Sequence, residues 1–206
     1  MYNLSRNNYH LKPKSSTIQT PLKVSQFIFE LLSPYWSNKR KVLDPCSGMG
    51  NLLKPWKDAG YPTRGIDIDK NSAANTKADF LKDKLFHFPQ YKQKKRIEDN
   101  KTLILCNPPF NGYGKKLGSE VWLDKIIELF GKEIPIVLFA PIGFRLNLTI
   151  NSNRWKKLNN GDYPVINSII SLPKDIFEGV VFHSEILIFN IKGLEAHYLY
   201  DDLSEN

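Results

Sequence analysis

Residues 42–51 read Val42-Leu43-Asp44-Pro45-Cys46-Ser47-Gly48-Met49-Gly50-Asn51. Lys41-Val42-Leu43 predicts a short strand, and Asp44-Pro45 stops it, because proline cannot donate to a strand ladder. Two glycines follow, and then Asn51–Ala59 predicts a helix that Pro55 bends or shortens. Glycine is used where a backbone takes positive φ or must approach a ligand closely. In an α/β sheet a strand–turn–helix junction of this kind sits at the carboxyl edge of the strands, where ligands bind. The dinucleotide fingerprint wants a further glycine three residues after Gly50, where Leu53 stands, so the full nicotinamide pattern is absent. Taken alone, the Gly48-Met49-Gly50 turn fits either a ligand or the chain's own geometry.

The rest of the chain extends that opening. Upstream, Pro21–Leu32 carries Leu22, Phe27, Ile28, Leu31 and Leu32 at helical spacing, with Thr20 as N-cap and Pro21 in the first helical position. Downstream, strands are predicted at Thr63–Ile68, Leu103–Cys106, Ile134–Ala140, Val165–Leu172 and Ile186–Ile191, and an amphipathic helix at Ser119–Phe130. Alternating strands and helices predict an α/β, Rossmann-like, doubly wound and mostly parallel sheet. The last two strands lack a long helix between them, which predicts an antiparallel end. Lys92–Lys101 reads as loop. The expected layout is a polar arm over 1–16, one domain over 17–192 and an acidic tail over 193–206.

Composition narrows the function classes. The 206 residues are 41% hydrophobic, enough for a core. No run approaches the roughly 20 apolar residues of a membrane span, and Met1–Ser16 lacks an apolar signal core, so a cytoplasmic location is expected. Cys46 and Cys106 make neither a disulfide framework nor a metal site. Net charge is +8, and Arg6, Lys12, Lys14, Lys23, Lys39, Arg40 and Lys41 face only Glu30 in the first 41 residues. Such a bias suits a polyanionic partner or simple solubility.

Three further stretches carry chemistry. Gly65-Ile66-Asp67-Ile68-Asp69 puts carboxylates at the tip of the second strand, where Asp67 could accept from both ribose hydroxyls of a nucleoside and Asp69 could cap a helix. Ala78-Asp79-Phe80-Leu81 offers an acceptor for an adenine amino group and a ring to stack on it. Asn107-Pro108-Pro109-Phe110 is the sharpest signal. The exocyclic nitrogen of adenine is a poor nucleophile because its lone pair is delocalised into the ring. Two acceptors aimed at its two N–H bonds, the Asn107 side-chain carbonyl and the Pro108 backbone carbonyl, would localise that pair. Pro108 and Pro109 fix the turn, and Phe110 supplies a flat face for an extruded base. Catalysis is then positioning and polarisation rather than strong-base chemistry. Pro45-Cys46 has the look of a cytosine-attacking thiol, but it lies inside the glycine turn with no activating neighbour, so Cys46 reads as a small packing residue. The four histidines show no paired spacing.

In this order, Asp44-Pro45-Cys46-Ser47-Gly48-Met49-Gly50, Asp67, Asp79-Phe80 and Asn107-Pro108-Pro109-Phe110 resemble the motifs of amino-group DNA adenine methyltransferases. Thr17–Pro21, upstream of the glycine turn, is similar to the cofactor segment of their gamma-order class. Ile170–Phe177 followed by Glu185–Phe189 resembles the modification subunits of type I restriction systems. The resemblance spans about residues 15–192 and implies the class I methyltransferase fold. It implies S-adenosylmethionine as cofactor, held by Thr20, Asp44, Pro45, Gly48, Gly50, Asp67, Ile68, Asp79, Phe80 and Asn107. Asn107, Pro108, Pro109 and Phe110 would be catalytic. Phe177, with Phe182 competing, would be a second aromatic wall for a flipped adenine in duplex DNA. Members usually carry a recognition domain or partner with a specificity subunit, so sequence here would be read by a separate subunit, by short loops or not at all. The stretches Asn111–Gly118 and Arg145–Tyr163, read as loops, offer Lys115, Lys116, Arg145, Arg154, Lys156 and Lys157 to phosphates. Two other readings stay open: an N-methyltransferase acting on an RNA base or a protein glutamine, and a non-catalytic nucleic-acid-binding subunit.

Overall fold

A computed structural model describes residues 18–37, 39–82, 102–110, 116–146, 148–179 and 181–201. The predicted arm at 1–16, the loop at Lys92–Lys101 and Lys115 lie outside these residues. The strands are β1 (Lys41–Asp44), β2 (Thr63–Asp67), β3 (Thr76–Lys77), β4 (Thr102–Cys106), β5 (Ile136–Pro141), β6 (Ile166–Ser171), β7 (Ser184–Phe189) and β8 (His197–Leu199). The helices are α1 (Leu22–Leu32), α2 (Lys54–Asp58), α3 (Gly118–Phe130), α4 (Gly143–Leu146) and α5 (Asn153–Asn159). One sheet runs in the order β3-β2-β1-β4-β5-β7-β6-β8. Its left half, β3 to β5, is parallel throughout. β7 is antiparallel to both β5 and β6, and β8 returns parallel to β6. The predicted α/β sheet with an antiparallel end is the observed one.

The central strands are buried on both faces, which is why they read as unbroken apolar runs. In β4, Leu103 and Leu105 join the cluster under α1 and α2, while Ile104 and Cys106 join the cluster under α3. The same alternation divides Val137 and Phe139 from Ile136, Leu138 and Ala140 in β5. Helices therefore cover both faces, and the carboxyl edge is left for the site.

Several elements depart from the expectations, each for a physical reason. α2 begins only at Lys54, because Pro55 is tolerated in a first helical turn and not later. α1 begins at Leu22 with Pro21 as N-cap and no side-chain cap; Thr20 turns its hydroxyl elsewhere. No helix follows Asp69: its carboxylate accepts from the Asn71 N–H at 2.9 Å, closing a turn that leads into β3. The stretch Arg145–Tyr163 is not a loop, since Ser152 caps α5 by accepting from the Trp155 N–H at 3.2 Å. Residues 197–199, read as tail, form β8; Tyr198 within it and Tyr200 just beyond it pack on the core, with Tyr200 edge-on to Phe27. Among the described residues, no helix is long and apolar enough to cross a membrane.

Candidate cofactor and base-binding site

The chain runs from β1 outward to β2 and β3, then returns to place β4 on the other side of β1. Such a reversal opens a crevice at the carboxyl ends of the two central strands. Asp44 ends β1, Asp67 ends β2 and Asn107 follows β4, so three residues singled out from sequence converge on one edge.

The glycine turn is held from three sides. Gly48 and Gly50 take φ +50° and +81°, in the left-handed region that favours glycine. The Gly48 N–H donates to Asp67 Oδ2 at 2.7 Å, and Asp67 Oδ1 accepts from the Asp69 N–H at 2.8 Å. The Met49 N–H donates to Gln19 Oε1 at 3.1 Å, and a Cβ on Gly48 would lie 2.6 Å from that oxygen. Pro45 is buried and Ile68 is 63% exposed. Asp44 is buried and accepts from the Cys46 N–H at 3.0 Å. Desolvation pushes its carboxyl up to about 7, against the lowering effect of that hydrogen bond.

Cys46 Sγ lies 3.7 Å from Cys106 Sγ across the β1–β4 junction. Burial, reinforced by Cys106, pushes the Cys46 thiol well above its usual range, so no thiolate stands ready for nucleophilic attack. The reading of Cys46 as a packing residue agrees with this placement.

The Asn107–Phe110 turn and the helix end of the glycine turn are both tied to Thr20. Asn107 Nδ2 donates to Thr20 Oγ1 at 2.9 Å, and Asn51 Nδ2 donates to the Thr20 carbonyl at 2.9 Å. Pro108 is buried, and the Gly118 N–H donates to the Phe110 carbonyl at 2.9 Å. A Cβ on Gly118 would collide with the Pro109 carbonyl, so only glycine lets the start of α3 press on this turn.

The aromatic assignments divide. Phe110 meets Phe182 edge-on with ring centroids 5.1 Å apart. Phe182 in turn stacks on Phe177 at 5.7 Å and 15°. Phe177 is 2% exposed, so it backs Phe182 and presents no wall of its own. Phe80 is likewise core: it is 1% exposed and stacks on Trp122 at 5.3 Å and 6°. The Asp79 carboxylate is partly buried, with Oδ1 accepting from the Leu81 N–H at 3.0 Å and Oδ2 3.3 Å from Lys82 Nζ.

Most of the expected phosphate contacts are engaged within the protein. Arg145 gives two hydrogen bonds of 2.8 Å to the buried carboxylate of Glu185. Arg154 pairs with buried Glu120 at 3.1 Å and donates to the Gly143 carbonyl at 3.3 Å. Lys157 and Lys116 both reach Asp124, at 2.6 and 3.2 Å. These carboxylates sit on α3 and β7, which the sequence does not show to be neighbours of the Arg145–Tyr163 stretch. Arg145 in particular has its fork filled, and drawing it away would strand a buried charge.

No protein-family model and no curated protein matches the sequence. Solved structures match the fold. A chain assigned as the modification subunit of a type I restriction enzyme from Vibrio vulnificus YJ016 superposes with a TM-score of 0.61 at 16% identity, over 98% of this chain and 51% of that one. The type I restriction-modification methyltransferase subunit from Streptococcus thermophilus gives 0.57 at 18% identity, over 92% and 48%. A protein assigned as a class I S-adenosylmethionine-dependent methyltransferase from Listeria monocytogenes gives 0.56 at 14% identity, over 88% and 64%. This chain has the class I methyltransferase fold. It spans about half the length of the two modification subunits it resembles.

Within the methyltransferase fold, the positions that sequence reading missed are polar residues acting at a distance. Gln19 meets a turn some thirty positions downstream, Asn51 holds a carbonyl equally far upstream, and Asn75 Oδ1 accepts from the Gly65 N–H at 2.9 Å. None carries a local signature. Gly118 had one weak cue, a glycine where a helix start favours serine, threonine or aspartate.

Proposed function

We propose that this chain is an S-adenosylmethionine-dependent N-methyltransferase that acts on the exocyclic amino group of adenine in DNA. The observation that carries the proposal is the tether on Asn107. Its amide nitrogen is committed to Thr20 Oγ1 at 2.9 Å, so the other end of the amide, the carbonyl, is the end left for an amino group. That carbonyl belongs to a turn directly beside the glycine turn, at the topological switch point.

The cofactor fits the residues present. Gly48 and Gly50 give the turn its left-handed backbone, the buried Asp44 carboxyl accepts from the Cys46 N–H at its edge, and Asp67 and Asp79 would supply acceptors for a nucleoside. When bound, S-adenosylmethionine supplies an electrophilic methyl group. The chain's own contribution is orientation. Asn107 Oδ1 and the Pro108 carbonyl accept the two N–H bonds of the amine, Pro108 and Pro109 hold the carbonyls in place, and Phe110 with Phe182 stacks an extruded base. The proton leaves after the nitrogen has gained its methyl, when it is acidic, so no strong base is required.

The motif order, with the Thr17–Pro21 segment ahead of the glycine turn, supports the gamma arrangement. Residues 17–192 would form the catalytic domain. The likeness to restriction-modification methyltransferase subunits supports duplex DNA as substrate and a separate specificity subunit as partner.

The test is transfer of labelled methyl from S-adenosylmethionine to adenine-containing duplex DNA and, in parallel, to structured RNA. Label in N6-methyladenine of DNA, lost by at least about a hundredfold in Asn107→Ala, is the expected outcome. Label in RNA alone would overturn the choice of substrate.

A further inference from the structure

We infer that Ile150 is an apolar wedge that fills the gap left in duplex DNA when the target adenine is extruded. The inference rests on the reading of duplex DNA as the substrate. A base leaving its stack opens a hole between two base pairs, and an aliphatic side chain entering that hole keeps water out and holds the duplex open. Ile150 occupies an unusual place for its type. The Ser152 N–H donates to the Thr149 carbonyl at 2.9 Å, which closes a tight turn with Ile150 and Asn151 at its tip. Asparagine, glycine, proline and serine suit such a tip, whereas a β-branched aliphatic residue suits a strand or a core. Ile150 is 75% exposed, and Ile142, Leu146 and Trp155 on the flanking elements are exposed as well. A lone aliphatic residue in water is ordinary; this concentration on one turn and its flanks is not.

The turn stands at the rim of the site and on a stiff base. β5 runs parallel beside β4, so its carboxyl end and α4 after it lie next to the Asn107–Phe110 turn. The Ile142 N–H donates to the His183 carbonyl at 3.2 Å, one residue from Phe182. Arg145 ties α4 to buried Glu185 on β7, and Arg154 ties α5 to buried Glu120 in the first turn of α3 and to the Gly143 carbonyl. The Arg154 guanidinium also lies 5.3 Å from the centroid of the Phe144 ring. A wedge has to be held rigid before contact, because ordering it on binding would cost affinity. From residue 134 to residue 161 the sequence has no acidic side chain, so nothing within the stretch repels phosphates, and exposed Asn151 and Asn153 can hydrogen-bond to a nucleic-acid backbone. A protein partner wants a broad face, on the order of 1,000 Å²; a single aliphatic side chain on a tight turn suits insertion into a gap.

The test uses the full chain with Ile150→Asn, which suits the turn, and with Val165→Asn as control. Val165 is 76% exposed and lies just before β6, at the amino edge of the sheet, away from the site. Binding is followed by fluorescence anisotropy on two duplexes of one sequence, one intact and one with a single abasic site opposite thymine. The abasic duplex offers the gap without any base to extrude. The wild-type chain is expected to bind it about tenfold more tightly than the intact duplex, the worth of burying one aliphatic side chain. Ile150→Asn is expected to lose that preference, with intact-duplex affinity within about twofold of wild type and an unchanged melting temperature; Val165→Asn is expected to keep it. Methyl transfer to native duplex DNA is expected to slow by about tenfold in Ile150→Asn. No abasic preference in the wild-type chain overturns the inference, as does a preference that survives Ile150→Asn. An equal loss of affinity for both duplexes also overturns it, since the turn would then be a general contact. If the wild-type chain labels no DNA, the functional reading fails, and the abasic preference still decides whether Ile150 enters a gap.

Discussion

Asp67 Oδ2 accepts the Gly48 N–H at 2.7 Å, so the tip of β2 holds the turn that leaves β1. The carboxylate is therefore part of the architecture of the turn before any ligand arrives. Its second oxygen is fixed in the same way by the Asp69 N–H at 2.8 Å. Charge-assisted bonds of this kind are worth more than neutral ones.

Asp67→Ala is expected to weaken S-adenosylmethionine binding by about ten- to a hundredfold and to destabilise the fold by about 2 kcal/mol, because two backbone N–H groups lose their acceptor. Calorimetry and chemical denaturation measure the two effects separately. Retained affinity would show that the turn keeps its shape without Asp67.

The Asp44 carboxyl, pushed up to about 7 from 3.8 by burial, gives stability a definite pH dependence. Between about pH 4 and 7 the folded protein holds a proton there that the unfolded chain releases. This group therefore makes stability fall as pH rises through that window, by up to about 1.4 kcal/mol per pH unit, and contributes no further slope above it. Asp44→Asn should flatten that part of the stability profile. If the carboxyl faces the cationic amino group of the cofactor, binding below pH 7 should expel a proton. Calorimetry at pH 6 in two buffers of different ionisation heat would detect it, and equal heats would remove Asp44 from that role.

Arg145 and Glu185 form a bidentate pair at 2.8 Å with Glu185 almost wholly buried. Arg145→Ala leaves that carboxylate unpaired, and a loss on the order of 3 kcal/mol in stability is expected. DNA affinity, read from the salt dependence of binding, should change little, because the guanidinium is already committed. A drop in the salt slope by about one phosphate contact would contradict this assignment.

The stacked pair Phe177 and Phe182 joins a buried ring to a partly exposed one, so the two positions test the proposed base-binding face separately. Phe177→Ala opens a cavity in the core and should cost about 3–5 kcal/mol of stability. Phe182→Ala, at the partly exposed end of the stack beside Phe110, should cost far less stability. It should instead weaken productive binding of DNA by about ten- to a hundredfold, the worth of one base–aromatic stack. Measuring melting temperature and DNA KM for both variants tests the division; equal effects on both readouts would defeat it.

The sequence by itself determined the longer elements, β1, β2, β4 to β7, α1 and α3, together with the glycine turn and the proline-locked turn after β4. Each is written in contiguous residues, through apolar runs, glycine φ and the fixed φ of Pro108 and Pro109, so local chemistry suffices to read it. Only the tertiary structure decided partners. Thr20 was legible as a helix cap but serves Asn107. Arg145 was legible as a free cation but is held by Glu185, and Phe80 as an exposed ring but stacks on Trp122. β8 stayed hidden because three residues in an acidic stretch become a strand only once β6 offers its edge. A side chain's contacts depend on segments tens of residues apart meeting in space, and no periodicity within either segment records that meeting.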